Sequence, residues 1–269
     1  MKVACIQSEI FKTREECYTN IENLIRNLMN GNKGVDIVCL PERWLPFFTE
    51  LNKNIQKERG ESYNFLRKIA QKYKIHLLSG AIWEIRKPSE KPWITCYYFD
   101  DNGKEIGRQD KMHLYSFEKQ NFQNSNTLHI FKIEKFKFSI LICFDMAFFE
   151  TPRIATMNGA EILFSPTQIR KEGMYNWNIY LQARVLENRI PVVAVNSFGE
   201  IGERKFIGKS KIITFTNGFF SPSKLKILEA PSNKSSFICS DIDLKFPNKL
   251  RKIRLNERID MKNIEIVHH

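Results

Sequence analysis

Long apolar runs are missing from this sequence. A stretch such as Ile140–Cys143 is a small fraction of the ~20 residues that a helix needs to cross a bilayer, so no membrane-spanning protein is expected. None of the six cysteines (Cys5, Cys17, Cys39, Cys96, Cys143, Cys239) forms a C-x-x-C pair, which removes the sequence basis for a zinc site or a disulfide framework and suits a reducing compartment. His76, His113 and His129 sit at no metal-ligand spacing. Nucleotide signatures are absent as well: there is no G-x-G-x-x-G. Gly202–Ser210 imitates a phosphate loop, but it has five residues between its glycines rather than four and no helix-forming continuation. A G-x-S-x-G nucleophile elbow is also missing. Acidic residues are scarce relative to basic ones, 30 against 42, a net charge of +12. The excess is uneven, +7 in residues 203–269 and +5 in the rest. A basic C-terminal third can attract nucleic acid or acidic metabolites. It lacks the interleaved aromatics and glycines of a common RNA-binding motif, so a solvated surface is the preferred reading and no nucleic-acid partner is expected.

What is present is a foldable chain. Apolar residues make up 42% of 269, which excludes wholesale disorder. A chain of this length buries roughly 70–75% of its unfolded surface without staples. Met1–Glu9 turns polar after a few residues and does not read as a signal peptide. The expectation is a soluble, cytoplasmic protein. The two terminal histidines, His268 and His269, read as an appended remnant and are left out of fold reasoning.

Val3–Gln7 reads as a buried strand. Thr13 and Glu16 form a capping-box pattern ahead of Cys17, Ile21, Leu24, Ile25 and Leu28 at helical spacing, and Gly31 and Gly34 end that helix. Asp36–Leu40 is a second strand, Tyr63–Tyr73 a second amphipathic helix and Ile75–Ile82 a third strand. Asp101-Asn102-Gly103 turns Ile94–Phe99 into a strand beginning at Glu105. Leu128–Ile133 and Phe136–Phe144 read as a further hairpin. Helices near Glu150–Asn158 and Tyr175–Asn188 alternate with strands Ile162–Phe164 and Pro191–Asn196, and shorter strands run from Lys209 to Asp241. The pattern predicts an α/β protein with mixed sheets. No repeat, low-complexity segment or linker interrupts it. Residues 1–243 therefore read as one domain and 244–269 as a C-terminal tail, in which Lys245–Lys252 fits a basic amphipathic helix.

Three polar residues stand at the ends of apolar segments: Glu42 after Ile37–Pro41, Lys111 after a hairpin strand, and Cys143 after Phe138–Ile142. Ligand crevices form at strand ends in open α/β sheets. A thiol, a carboxylate and an ammonium meeting there make a nucleophile, a proton carrier and an anion stabiliser. Each residue taken singly is equally at home as a buried thiol, a surface ion-pair partner and a solvated cation, and spacing alone does not bring them together.

The segments Leu40-Pro41-Glu42, Asp110–Tyr115, Ile140–Asp145 with Glu150 and Arg153, Gly159–Ile162 and Ala183–Arg189 together resemble the nitrilase superfamily, the carbon–nitrogen hydrolases, through nearly the whole chain to about Asp243. The resemblance implies a four-layer αββα sandwich and a Glu42–Lys111–Cys143 triad, with Glu118 as the second glutamate beside the lysine. It implies cleavage of a small amide or nitrile through a cysteine thioester, with release of ammonia or an amine and with no metal or organic cofactor. Asp145, two residues after the cysteine, resembles the amidase-type branches, so amide cleavage is favoured. Phe144 would supply a backbone N–H, and the segment Thr167-Gln168-Ile169-Arg170 would line the pocket. Trp44, Phe148 and Trp177 read equally as apolar pocket walls and as core-packing residues. Relatives often carry an acidic residue and Pro-Gly where this chain reads Asn121–Asn126, a loop that borders the family's pocket. The family resemblance also implies a homodimer or larger assembly, through the helices near 150–158 and 175–188 and the tail. Rival readings are acyl transfer to an amine, a basic binding or scaffolding protein on a retained fold, and a Cys143–His113 dyad in place of the lysine.

Overall fold

Thr13 caps the first helix as its spacing predicts: the Glu16 N–H donates to its hydroxyl at 3.2 Å, and the Thr13 N–H donates to the Glu16 carboxylate at 3.0 Å. In the computed structural model, which describes residues 1–134, 136–259 and 264–268, that helix opens a regular alternation. The first half contains β1 (Lys2–Gln7), α1 (Arg14–Gly31), β2 (Ile37–Cys39), α2 (Leu51–Asn54), β3 (Gln56–Lys57), α3 (Glu61–Tyr73), β4 (His76–Leu78), β5 (Ile82–Ile85), β6 (Trp93–Phe99) and β7 (Glu105–Asp110). Then come α4 (Glu118–Asn121), β8 (Phe131–Ile133), β9 (Phe136–Ile140), α5 (Glu150–Met157), β10 (Ile162–Thr167), α6 (Met174–Asn188) and β11 (Val192–Asn196). The chain closes with β12 (Phe198–Ile201), β13 (Arg204–Ile207), β14 (Lys211–Phe215), β15 (Leu225–Glu229), β16 (Ser236–Asp241) and α7 (Lys245–Asn256).

Two mixed sheets result. One runs β16-β1-β2-β4-β6-β5-β3, with β7 on the free side of β6; the other runs β15-β14-β11-β10-β9-β8. Their facing residues, among them Val3, Ile37, Phe138, Ile140, Phe164 and Val193, are fully buried between the sheets. The apolar stripes of α1 and α3 cover the outside of the first sheet, and α5 and α6 cover the second. Each such Leu, Ile, Val or Phe contributes about 1.5–3 kcal/mol by leaving water. This is the expected four-layer αββα sandwich.

The tail's helix joins the body. Pro247 and Leu250 of α7 are buried, and the Arg251 guanidinium donates to the carbonyls of Asn188, Ala160 and Arg189. Residues 260–263 and 269, which belong to the same tail, lie outside the described residues.

Several strands read from the sequence are shorter in the structure, and two of them end at identifiable contacts. Ile75–Ile82 breaks into β4 and β5 because the Tyr97 N–H donates to the Ser79 hydroxyl at 2.8 Å instead of to a ladder carbonyl, and Gly80 adopts φ +65°. Phe136–Phe144 stops at Ile140, and a 3-10 turn spans Cys143–Ala147. The Gly202–Ser210 segment forms the β12–β13 turn and β13 with no following helix, so it builds no phosphate cradle.

Gly80 connects fold to site. A Cβ there would collide with the Pro41 carbonyl and approach Trp44 Cδ1 to 2.9 Å, just before Glu42. Gly34 has a similar φ of +68° with nothing within 4 Å of the same position. Gly80→Ala is expected to cost clearly more than the ~1 kcal/mol typical of alanine at positive φ, while Gly34→Ala costs only that amount. Urea midpoints of the two variants check this, and equal losses would refute it.

Candidate active site

Glu42, Lys111, Glu118 and Cys143 converge at one end of the sandwich. Glu42 lies just beyond β2, and its N–H donates at 3.2 Å to the carbonyl of Thr167, the last residue of β10. That bond ties the first sheet to the second where the site forms. Lys111 follows β7 directly. Its N–H donates to the Ile94 carbonyl at 2.9 Å, and its carbonyl accepts from Ser125 at 3.0 Å, so the backbone is fixed on both sides. The Lys111 ammonium, 1% exposed, donates to Glu42 Oε1 at 2.6 Å and to Glu118 Oε1 at 2.9 Å. Glu118 is held in turn by the Tyr115 N–H at 2.7 Å.

Cys143 opens the turn after β9 with φ +48°, a left-handed conformation that non-glycine residues seldom adopt. Asp145 holds it there. This fully buried carboxylate accepts from the Ile142 N–H at 2.9 Å and from the His113 N–H at 2.7 Å, and it contacts His113 Nδ1 at 3.0 Å. It therefore couples the cysteine turn to the lysine loop. From α6, buried Arg184 donates to the carbonyls of Met146 and Ala147 at 3.1 and 2.8 Å, closing the far side of the turn.

Burial alone would lower the Lys111 ammonium, but the charges of Glu42 and then Glu118 outweigh it and hold it above the usual lysine range. Burial pushes the Cys143 thiol well up and Glu42 adds to this; Lys111 and the Gln168 N–H oppose. The resting cysteine is accordingly a thiol at neutral pH. Burial also raises Glu118, against the pull of Lys111. Arg43 is lowered to about 10, by burial first and against the charges of Glu42 and Glu118.

Cys143 borders two cavities. One, of about 130 Å³, is shared with Glu42, Lys111, Glu118, Gln168, Arg170 and Arg204. The other, of about 280 Å³, is walled by Phe144, Gln168, Arg170, Trp177 and Tyr180. Gln168 and Arg170 line both cavities, and Phe144 and Trp177 line the larger one. Thr167 lines neither: it is fully buried, and its hydroxyl donates to the Val195 carbonyl at 3.0 Å, so it anchors the loop. Trp44 packs near Tyr18 and Phe65 outside the first sheet, away from the cavity. Phe148 stacks on His113, which is held by Asp145 and lines neither cavity, so no Cys143–His113 dyad forms. Gln123–Asn126 line a separate surface groove with Arg59 and Arg108, away from Cys143.

Sequence reasoning missed the parts played by Asp145, Arg184, Arg43 and Arg204. For Arg43 a signal existed: a charge directly after Glu42 inside the otherwise apolar Leu40–Leu45. The other three depend on contacts between segments distant in the chain.

Comparison with known proteins agrees with this geometry. Residues 2–220 match the family model for carbon–nitrogen hydrolases. A probable nitrilase of Schizosaccharomyces pombe is 28% identical over 86% of this chain and 84% of its own. A 2-oxoglutaramate amidase of Bacillus subtilis is 29% identical over 78% of this chain and 82% of its own. The crystal structure of Saccharomyces cerevisiae Nit3, of the nitrilase superfamily, superposes with a TM-score of 0.84 at 22% identity, covering 98% of this chain and 97% of that one. With a buried thiol, two carboxylates and one ammonium at the end of an αββα sandwich, the chain belongs to the carbon–nitrogen hydrolase family.

Proposed function

We propose that this hydrolase cleaves small amides through a thioester on Cys143. The observation that carries the reading is the single ammonium of Lys111 bridging Glu42 and Glu118 in a cavity that also holds the thiol. Because the resting thiol is protonated, attack needs a base. Cys143 Sγ bonds to the amide carbon as its proton passes to Glu42. The oxyanion that forms is stabilised by the Lys111 ammonium and the Phe144 N–H; losing one such donor typically costs ~10²–10³ in rate. Glu42 then returns its proton to the departing nitrogen, and ammonia or an amine leaves. A water, deprotonated by Glu42, attacks the thioester and releases the acid, and the thiol regains its proton. Glu118 keeps Lys111 in place. Asp145 after the cysteine supports an amide over a nitrile substrate. The six unpaired cysteines support a reducing, cytoplasmic setting, and no helix among the described residues is long and apolar enough to cross a membrane.

The assembly we infer is a homodimer or larger. Phe149, Ile154 and Met157 on and beside α5, and Tyr175, Ile179 and Tyr180 on α6, leave large apolar side chains in water on two helices that pack against each other, a pattern that suits a subunit interface.

Intact-protein mass spectrometry after mixing with a panel of amides, with ammonia followed in parallel, is expected to show an acyl adduct on wild type and none on Cys143→Ala. In Glu42→Gln any adduct is expected to form slowly and persist. Ammonia release that survives Cys143→Ala would overturn the mechanism, and an adduct discharged only by added amines would replace hydrolysis with acyl transfer. In substrate-free protein, alkylation of Cys143 by iodoacetamide is expected to climb from pH 7 toward 10 without a neutral plateau. In Lys111→Met the climb is expected to move to higher pH, because the cation that favours the thiolate is gone. Light scattering at micromolar concentration is expected to give a multiple of 31.7 kDa, and a single species at that mass would rule the assembly out.

A further inference from the structure

We propose that the corner where α5, α6 and α7 converge binds a compact, multiply charged phosphate anion of the diphosphate or triphosphate class, held by Arg153, Arg189, Arg254 and Arg258. The corner is separate from the catalytic cavity. Strands β9, β10 and β11 run parallel, and Cys143 lies beyond the end of β9. The corner lies at the other end of that sheet, where β10 and β11 begin: Arg251 of α7 donates there to the carbonyls of Ala160, Asn188 and Arg189.

Contacts from three elements bring the arginines together. Arg153, on α5, donates at 3.0 Å to the Glu187 carbonyl in the last turn of α6. Arg189 directly follows α6 as a left-handed cap, with φ +49°. On α7, Arg254 follows Arg251 at helical spacing and so shares its face. Arg258 comes one turn later, and its N–H donates to the Leu255 carbonyl at 3.3 Å, which continues the turn past the helix end. The charges are close enough to act on one another. Burial first, and then the charges of Arg258 and Arg254, lower the Arg153 guanidinium from the usual arginine range; burial and then Arg254 do the same to Arg189.

A solvated basic face spaces its charges and mixes acids among them. Here the neighbouring acids are already engaged. Glu187 accepts from Arg184 through both oxygens, at 3.2 and 3.1 Å, and Glu161 accepts from the Lys137 N–H and from Asn248. Glu257 pairs with Arg254 at 3.3 Å. Arg153 and Arg189, both half-buried, form no ion pair among the described residues, and the Arg189 guanidinium makes no hydrogen bond among them. Like charges gathered in this way repel, and a multivalent anion among them removes that cost. Guanidinium forks match phosphate oxygens two at a time, so several forks in a small area suit a ligand with several adjacent charges. The four are gathered at one corner rather than strung along a groove that would track a nucleic-acid backbone, which favours a compact ligand.

The probes are inorganic triphosphate and pyrophosphate, with sulfate at matched ionic strength as the reference, and titration calorimetry on the full-length protein reads the affinity. Triphosphate is expected to bind once per chain, about 10-fold or more tighter than sulfate, with pyrophosphate between them. Arg153→Gln and Arg258→Gln are each expected to weaken triphosphate about 10–100-fold, as the loss of a charge-assisted hydrogen-bond pair predicts. Lys132→Gln, at an exposed basic residue on β8, should leave the affinity unchanged. Triphosphate that binds no better than sulfate, or an affinity that neither arginine variant weakens, would overturn the proposal, since plain screening of a solvated surface predicts both. An oligonucleotide without terminal phosphates, or phosphatidylserine–phosphatidylcholine vesicles, bound more tightly than triphosphate through the same arginines would give the corner to a nucleic acid or a membrane and overturn the compact-anion assignment. If melting curves show that Arg153→Gln is unfolded, Arg258→Gln, at an exposed position, decides.

Discussion

A lysine ammonium almost sealed from water, with carboxylates at 2.6 and 2.9 Å, sets the terms for the rest of this end of the molecule. Three charges withdrawn from solvent are tolerable only when each is satisfied, so the segments that carry them cannot drift. Glu42 is fixed by its backbone bond to β10, Glu118 by the Tyr115 N–H, and Lys111 by bonds on both sides of its peptide unit. The two sheets meet here through that polar lattice, whereas most of their facing surface is apolar side chains. The same lattice would serve the thiol in the proposed reaction. It surrounds the thiol with one group that can take a proton and another that can stabilise negative charge, both already in position.

Much of the frame was legible in the sequence. α1 announced itself by the Thr13–Glu16 box and its buried stripe, α3 by its stripe alone, and the β6–β7 turn by Asn102-Gly103. Local signals of this kind depend on neighbours a few residues away, which is why they survive translation into structure. Periodicity placed Glu42, Lys111 and Cys143 at segment ends, and only the family resemblance brought them together; their contacts span 69 residues for the Glu42–Lys111 pair.

What stayed hidden was set by distant atoms. The break at Ser79-Gly80 arises because Tyr97 bonds a hydroxyl and because the Pro41 carbonyl occupies the space above Gly80. The strand expected through Phe144 ends early because Asp145 takes the Ile142 N–H. Thr167, by its place after an apolar strand, suits a pocket wall, and Trp44 suits either a wall or the core. Their side chains instead met better partners, a β11 carbonyl for one and an aromatic cluster for the other. Arg43 is the opposite case, a charge in an apolar segment that settles over the rings of Trp83 and Phe47.

The left-handed backbone at Cys143 has a consequence for timing. The direction of its Cα–Cβ bond is set by the peptide units around it, pinned through Asp145. For the proposed thioester reaction, the backbone part of the search that aims the nucleophile would therefore be completed once, when the chain folds, and not repeated at each turnover. Only rotation about the Cα–Cβ bond would be left to place the sulfur.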